Sequence, residues 1–249
     1  MRHKEPSVRS YAVTHPTGEV RLPTQAGWDQ VLYSKSGLFV ASSSSESWTV
    51  PPHRALCVTD GTTIRARTRR PTAMRCLYFR HELKALRSGN RVVSTNTFTR
   101  ELLLHVVKQC PISLATPSNE ALIQVVLDQI AAAPTAPLHL PFPADSRAQA
   151  LATVLTNNPT ITLGDAIATV AASRRTLERI FRSETAMTLA GWQRRSRILF
   201  SLDLLSQEKS MTEIALASGY ATSSSYIAAF RSELNSTPKK ILNENTPSS

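Results

Sequence analysis

A proline-rich segment at residues 134–143 divides this chain into two parts with different hydrophobic patterns. Proline lacks a backbone N–H and disfavours helical geometry in the residue before it, so a helix cannot continue through the segment. Apolar residues occur in short runs before Phe79 and mostly at helical spacing after it. The pattern therefore predicts a β-rich part, a pair of helices, an extended linker and an all-α carboxy-terminal part.

The β-rich part contains six short runs of Val, Leu, Thr and aromatic residues between about Glu19 and Phe79. Glycine and proline residues separate the runs at the spacing typical of an antiparallel barrel or sandwich. Apolar stripes then predict two helices, at 98–109 and 119–133. These helices either cover the open face of the β structure or form a two-fold dimer seam, and the sequence leaves both arrangements open.

Composition narrows the classes of protein that fit the chain. Of 249 residues, 41% are hydrophobic and 19% are charged, which is typical of a globular protein. The formal net charge is +11, from 29 basic and 18 acidic residues, and favours an anionic partner such as nucleic acid. The three cysteines form no CxxC pair, and no apolar stretch is long enough for a signal peptide or a spanning helix. We expect a cytoplasmic protein without a membrane segment.

Two helix-turn-helix motifs of similar sequence stand in the carboxy-terminal part. The first pairs a helix over 163–170 with a reading helix over about 174–184, and the second pairs helices over 211–218 and 223–234. A long helix over about 189–206 lies between the motifs and would set their separation. If that separation is near one duplex turn, about 34 Å, both reading helices can enter successive major-groove segments.

The repeat is visible in the residues themselves. Phe181-Arg182 recurs as Phe230-Arg231, 49 residues later (230 − 181). The first reading helix places Leu177, Ile180 and Phe181 on one face, which predicts that this face is buried. The corresponding anchors predicted for the second are Tyr226, Ala229, Phe230 and Leu234.

The opposite face of the first reading helix carries Arg175, Glu178, Arg179 and Arg182. Arginine can bridge guanine O6 and N7, glutamate can accept from cytosine N4, and arginine also binds phosphate. A solvated charged face explains the same pattern in an isolated helix, but the duplicated motif favours DNA contact. Residues 173–197 hold seven arginines against two glutamates, a local net charge of +5.

Exposed serines and small apolar residues occupy the second reading helix, which should therefore discriminate less between bases. We expect Arg175, Glu178 and Arg179 to contact bases in the first helix, with Ser224, Ser225 and Ala228 at the corresponding positions of the second. We expect Arg194, Arg195, Lys239 and Lys240 to contact phosphates rather than bases. The predicted DNA-contacting residues are Arg174, Arg175, Glu178, Arg179, Arg182, Arg194, Arg195, Ser223, Ser224, Ser225, Ile227, Ala228, Arg231, Lys239 and Lys240.

Residues 145–242 resemble the carboxy-terminal domain of the AraC/XylS family of bacterial transcription regulators. The resemblance lies in SRRTLERIFRSETAMTLAGWQRRSRI (173–198) and MTEIALASGYATSSSYIAAFRSELNSTPKK (211–240). The segment WDQVLYSKSGLFVASSSSESWTVPPHRALCV (28–58) is similar to the cupin-like barrel of some family members. Two features depart from the pattern: Ala171 stands where a turn glycine is common, and Ala166-Ile167 reverses the large-then-small order of Ile214-Ala215.

The resemblance implies an α+β chain with three segments. Residues 1–133 would form a cupin-like sensing or dimerisation barrel with its helical pair, 134–144 a linker, and 145–249 an all-α domain with two helix-turn-helix motifs joined by a long helix. It implies a sequence-specific transcription regulator that binds double-stranded DNA. A small-molecule effector, contact with RNA polymerase and homodimerisation are left open, and so is the sign of regulation.

A second basic cluster at residues 54–91 includes Arg65, Arg67 and Arg69, which alternate along a predicted strand and therefore share a face. An anionic effector, flanking DNA or plain solvation each explains this face, and we take these residues as candidate effector ligands.

Two rival classes remain. A cupin-type metalloenzyme would need several metal ligands, but only His53 of six histidines lies in the predicted strands, and Gln25 and Arg65 stand near expected ligand positions. The sequence has no GxSxG, P-loop or HExxH motif, so we expect no catalytic residues, metal or cofactor. The other rival is an architectural protein with weak sequence selectivity.

Overall fold

The computed structural model describes residues 5–20, 22, 26–86, 89–205, 207 and 209–245. The chain divides into two compact units. The β unit comprises residues 1–43 and 48–136, and the helical unit comprises residues 44–47 and 137–249. The α+β fold class is confirmed, with two β-sheets in the amino-terminal part and a helical carboxy-terminal part. The domain limits inferred from the sequence, 1–133, 134–144 and 145–249, stay predictions.

The β unit contains two antiparallel sheets. Its strands are β1 Val8–His15, β2 Gly18–Val20, β3 Trp28–Ser36, β4 Phe39–Ser42, β5 Glu46–Val50, β6 Arg54–Val58, β7 Arg65–Thr68, β8 Thr72–Arg80 and β9 Arg91–Ser94. The first sheet has the order β1-β8-β3-β6-β9, and the second contains β5-β4-β7-β2 in that order. Strand β1 lies before the first predicted run and was not predicted from the sequence. It is an edge strand in which every residue except Val8 is half-buried or exposed, so it lacks a clear apolar pattern.

Two helices of the β unit, α1 Thr97–Gln109 and α2 Pro117–Ala132, pack against the first sheet. Leu103 and Val106 of α1 join Val126 and Ile130 of α2 in one apolar core with the sheet residues. The structure therefore confirms that the helical pair covers a β face. Phe98 and Val125 stay exposed, at 57% and 41%, so dimerisation through these helices stays a prediction.

The helical unit contains one short strand and seven helices among its described residues. They are β10 His139–Pro141, α3 Ser146–Asn157, α4 Leu163–Ala168, α5 Arg174–Thr185, α6 Leu189–Leu205, α7 Met211–Ala217, α8 Ser223–Leu234 and α9 Pro238–Asn245. Helix α6 lies at the centre, in contact with α3, α5, α7 and α8. Within the residues described, no helix combines the length and the apolar character needed to cross a membrane.

The proline-rich segment is extended but not free. The indole N–H of Trp192 in α6 donates to the Pro141 carbonyl at 2.6 Å. The Phe142 N–H donates to the Ser45 carbonyl at 2.7 Å, and Ser45 also belongs to the helical unit. At the end of α5, the Glu184 carboxylate accepts from the backbone N–H of Ala144 at 2.6 Å. Pro141 at the end of the segment and Ala144 just after it are therefore held against α6 and α5.

Candidate nucleic-acid interface

Each helix of the two helix-turn-helix motifs begins at a hydroxyl cap. Thr162 and Ser173 accept from backbone N–H groups at the starts of α4 and α5. Ser210 and Thr222 do the same for α7 and α8. Such caps satisfy backbone donors that the first helical turn leaves unpaired, and each typically stabilises the fold by about 1 kcal/mol. Local sequence therefore fixes where every helix of the motifs starts.

The second motif turns through a glycine. Gly219 has φ +80°, in the left-handed region that favours glycine. The Tyr220 N–H donates to the Ala215 carbonyl at 2.9 Å, and the Gly219 N–H donates to the Leu216 carbonyl at 3.0 Å. This pair of bonds is the Schellman motif, which satisfies carbonyls at the end of a helix.

The first motif turns without a left-handed residue. Its caps are 11 residues apart (173 − 162), whereas the caps of the second motif are 12 apart (222 − 210). Residues 169–172 are all described, and none has a positive φ. Ala171 therefore stands in a shorter turn of a different kind, which does not require glycine.

The duplication extends past the reading helices, and the sequence analysis did not predict this extension. Helices α5 and α8 end at Ala186 and Asn235, 49 residues apart (235 − 186), and both residues are left-handed, with φ 56° and 50°. Thr188 then accepts from the Gly191 N–H at 3.1 Å, and Thr237 accepts from the Lys240 N–H at 3.2 Å. The repeat therefore includes the starts of α6 and α9.

Apolar side chains of α5 anchor the first reading helix. Leu177, Ile180 and Phe181 are buried, which confirms the predicted anchoring face. The ring of Phe181 packs edge-on against Trp192 of α6, with centroids 5.3 Å apart and an interplanar angle of 75°. Such edge-to-face contacts favour a defined ring geometry.

The second reading helix has a partly polar anchor. Tyr226, Phe230 and Leu234 are buried, while Ala229 is half-buried. Burial raises the pKa of Tyr226 to about 12, so its hydroxyl keeps its proton and donates to Ser201 Oγ of α6 at 3.1 Å. Helix α6 therefore holds both reading helices, one by an edge-on ring contact and one by a buried hydrogen bond.

The outward face of α5 is basic. Arg175, Arg179 and Arg182 are all exposed and line a cleft of about 540 Å³ that extends to Leu189 at the start of α6. Glu178 lies on the same cleft, with its carboxylate 2.8 Å from Nε of Arg174. Both partners of this pair are about half exposed, so the pair contributes little to stability.

The outward face of α8 is uncharged in its first two turns. Ser224, Ser225 and Ala228 are exposed, whereas Ser223 and Ile227 are half-buried. The Ser225 hydroxyl donates to the Thr222 carbonyl at 2.9 Å and so serves the start of the helix. Among the predicted contacts in α8, only Arg231, in the last turn and also exposed, is charged.

The predicted phosphate ligands fall into two groups. Lys239 and Lys240 are exposed at the start of α9. Arg194 and Arg195 of α6 instead lie against Glu233 of α8, with N–O distances of 2.6 and 3.6 Å. The side chain of Arg194 is 50% exposed, but that of Arg195 is only 17% exposed, so the two neighbours have different access to a ligand.

One arginine with no role in the sequence prediction joins the two motifs. Arg197 of α6 donates from Nε to the Pro159 carbonyl at 2.7 Å and from its terminal nitrogens to the carbonyls of Ile161 at 2.9 Å and Gly219 at 3.1 Å. Burial lowers the pKa of this guanidinium, but arginine stays protonated in proteins. Its partners are backbone carbonyls, which every residue has, so the sequence does not indicate these contacts.

The β unit presents its arginine row to solvent. Arg65, Arg67 and Arg69 are exposed, while the intervening Ala66 and Thr68 are buried. The predicted alternation is confirmed. Within the described ranges, no three His, Cys, Asp or Glu side chains are grouped to hold a metal. Gln25, one of the positions weighed as a ligand, lies outside the described residues.

Comparison with known proteins agrees with this geometry. A helix-turn-helix domain family matches residues 167–244. The transcriptional regulator NimR of Escherichia coli is 22% identical over 244 residues, covering 97% of this chain and 89% of NimR. The transcriptional regulator RipA of Corynebacterium glutamicum is 34% identical over 100 residues, covering 39% of this chain and 30% of RipA. The crystal structure of ToxT from Vibrio cholerae aligns over 97% of this chain and 99% of ToxT, with 13% identity and a TM-score of 0.42.

The matched residues include both reading helices, α6, α7 and all of α9 except its last residue, and so contain the elements that repeat in this chain. The match favours a regulator over a cupin-type enzyme, as the sequence predicts. Residues 167–244 match a helix-turn-helix domain family, and the chain is similar over nearly its whole length to the helix-turn-helix transcriptional regulator NimR, with a β domain before the helix-turn-helix motifs.

Proposed function

We propose that this regulator selects its DNA sites mainly through the outward face of α5. The observation that carries the proposal is the exposed trio Arg175, Arg179 and Arg182 on a helix whose opposite face is buried. Guanidinium groups at a helix surface can bond guanine O6 and N7 in the major groove. Glu178 can accept from cytosine N4 once Arg174 turns to a phosphate.

Helix α8 supplies weaker discrimination. Its exposed Ser224, Ser225 and Ala228 offer a hydroxyl to either base type or a methyl contact to thymine. Arg231, Lys239 and Lys240 bind phosphates in this proposal, and Arg194 joins them by exchanging Glu233 for a phosphate. Arg195, which is more buried, would contribute to the positive electrostatic potential of the interface rather than bond directly to a phosphate.

The division between base and phosphate contacts predicts two different mutant phenotypes. Arg179→Ala should weaken binding to the preferred site by about 1–3 kcal/mol and relax one base position. Lys240→Ala should weaken binding to all sequences alike. It should also reduce the slope of the logarithm of the DNA association constant against the logarithm of the salt concentration by about 0.9. Binding-site selection followed by fluorescence anisotropy titrations at several salt concentrations measures both effects.

Arg147→Ala is the matched control, because Arg147 lies in the same unit, is exposed and pairs with Asp145 instead. Equal losses across base variants for both Arg179→Ala and Lys240→Ala would refute the division of roles. Selection that returns no consensus from the unaltered protein would favour an architectural role with weak sequence selectivity instead.

We further propose that Arg65 and Arg67 of β7, together with Arg69 just after the strand, bind an anionic effector. The support is charge and spacing, since alternate strand residues lie about 6.6 Å apart on one face. With citrate as the probe anion, the unaltered protein should gain about 2–4 °C in melting temperature per kcal/mol of binding energy, and a triple serine variant should not. An equal gain in both proteins would remove the arginine row as the site. A cytoplasmic location, homodimerisation and contact with RNA polymerase stay predictions.

A further inference from the structure

We infer that Arg197 is the positioning residue that fixes how the two helix-turn-helix motifs sit relative to each other, and therefore which half-site spacing the protein accepts. The inference rests on the proposed function, because it requires that both reading helices engage one DNA site. It concerns a side chain that itself lies away from the proposed base contacts. The two motifs are separate in the chain, so contacts between them must fix their relative position.

The contacts of Arg197 connect the two motifs through a single side chain. Pro159 and Ile161 lie in the loop that leads into α4, the first helix of the first motif. Gly219 lies in the turn between α7 and α8 of the second motif. A guanidinium is planar and directs its donors in fixed directions, so three bonds define the position of both backbone segments.

The two backbone segments also touch directly. A Cβ atom on Gly219 would lie 2.5 Å from the Pro159 carbonyl oxygen and 2.9 Å from Cζ of Arg197. Gln193, one helical turn before Arg197, donates from Nε2 to the Ile161 carbonyl at 3.1 Å. Side chains of α6 therefore hold the entry loop and the turn together in a closely packed layer.

The other contacts of α6 described above each involve one motif only. Trp192 holds α5 by an edge-on ring contact with Phe181. Tyr226 holds α8 through a hydrogen bond to Ser201, and Glu233 of α8 pairs with Arg194 of α6. Without the Arg197 bonds, the reading helices would stay attached to α6 but could shift relative to each other. One base pair on DNA corresponds to about 3.4 Å and one-tenth of a turn, so small shifts change the register.

The test measures spacing rather than affinity alone. Affinities are determined for the selected DNA site and for the same site with one base pair inserted between the half-sites. We expect the unaltered protein to bind the insertion site about 10- to 100-fold more weakly, comparable to a mismatch. Arg197→Lys keeps the charge but cannot bond to three carbonyls at once. For this variant, the ratio of the affinity for the selected site to the affinity for the insertion site should fall to about 3-fold or less. Arg147→Lys, the matched control, should keep the original ratio.

Each result decides the inference. A purely structural role would reduce the active fraction of Arg197→Lys without changing the ratio between the two sites, so an unchanged ratio overturns the inference. If that variant does not fold, Gln193→Met replaces it, since it removes one of the two donors to Ile161. An intermediate ratio then supports the inference, and an unchanged one overturns it. An unaltered protein that selects no sequence overturns the proposed function as well, and so the two failures are distinguishable.

Discussion

Replacing Trp192 with alanine is expected to lower the free energy of unfolding of the helical unit by about 3–5 kcal/mol. The side chain is fully buried and packs edge-on against Phe142 and Phe181, with ring centroids 5.6 and 5.3 Å away. Its indole N–H also donates to the Pro141 carbonyl. Alanine would leave a cavity beneath α5 and remove the donor to that carbonyl. Urea denaturation of the full chain, followed by circular dichroism at helical wavelengths, measures the loss.

Two further variants separate the causes of that loss. Trp192→Phe keeps an aromatic ring but removes the indole N–H, and it should cost about 1–2 kcal/mol. Leu216→Ala truncates a side chain that is 54% exposed on α7, and it should change stability by no more than about 0.5 kcal/mol. If Trp192→Ala costs no more than Leu216→Ala, Trp192 does not anchor the first reading helix.

Gly219→Ala is expected to destabilise the helical unit by about 2–5 kcal/mol. The left-handed backbone at this residue costs any residue with a Cβ about 1–2 kcal/mol. The new methyl group would also lie 2.5 Å from the Pro159 carbonyl oxygen, so the turn or the entry loop must move, at a further cost of about 1–3 kcal/mol. Denaturation curves of the purified variant and the unaltered protein give the difference.

Gly164→Ala supplies the control, because it makes the same chemical change in α4 of the same unit. Its nearest neighbour would be Thr162 Oγ1 at 3.8 Å, an ordinary contact, and its φ lies outside the left-handed region. Alanine restricts the unfolded chain and suits a helix, so we expect a gain of about 0.5 kcal/mol. The two glycine variants should therefore change stability in opposite directions, and a shared direction would contradict the account of the turn.

Local chemistry explains why the reading helices could be predicted so closely. The limits of α8 follow from Thr222 as a cap and Asn235 as a left-handed end, and its buried face follows from the spacing of Tyr226, Phe230 and Leu234. A helix with a cap, a periodic face and a terminator is determined by residues near each other in the chain. The same reasoning predicted the exposed arginines of α5.

Long-range contacts explain what could not be predicted. Arg194 and Arg195 are adjacent and chemically identical, yet their side chains are 50% and 17% exposed, and both lie against Glu233, 39 and 38 residues later in the chain. Arg197 bonds to three carbonyls, which every residue possesses, so no residue pattern indicates its partners. Ala186 adopts a left-handed backbone that its side chain disfavours, so its residue type does not predict this conformation.

The matching hydroxyl caps and left-handed ends of α5 and α8 separate the support of each reading helix from its outward surface. Ser173, Thr222, Ala186 and Asn235 support the ends of the helices, and the hydrogen bonds of the two caps do not involve the side chains of residues 224 and 228. Natural selection can therefore alter residues 224 and 228 at little cost in folding. Under the proposed function, point mutations at these positions change the preferred DNA site while the scaffold stays constant.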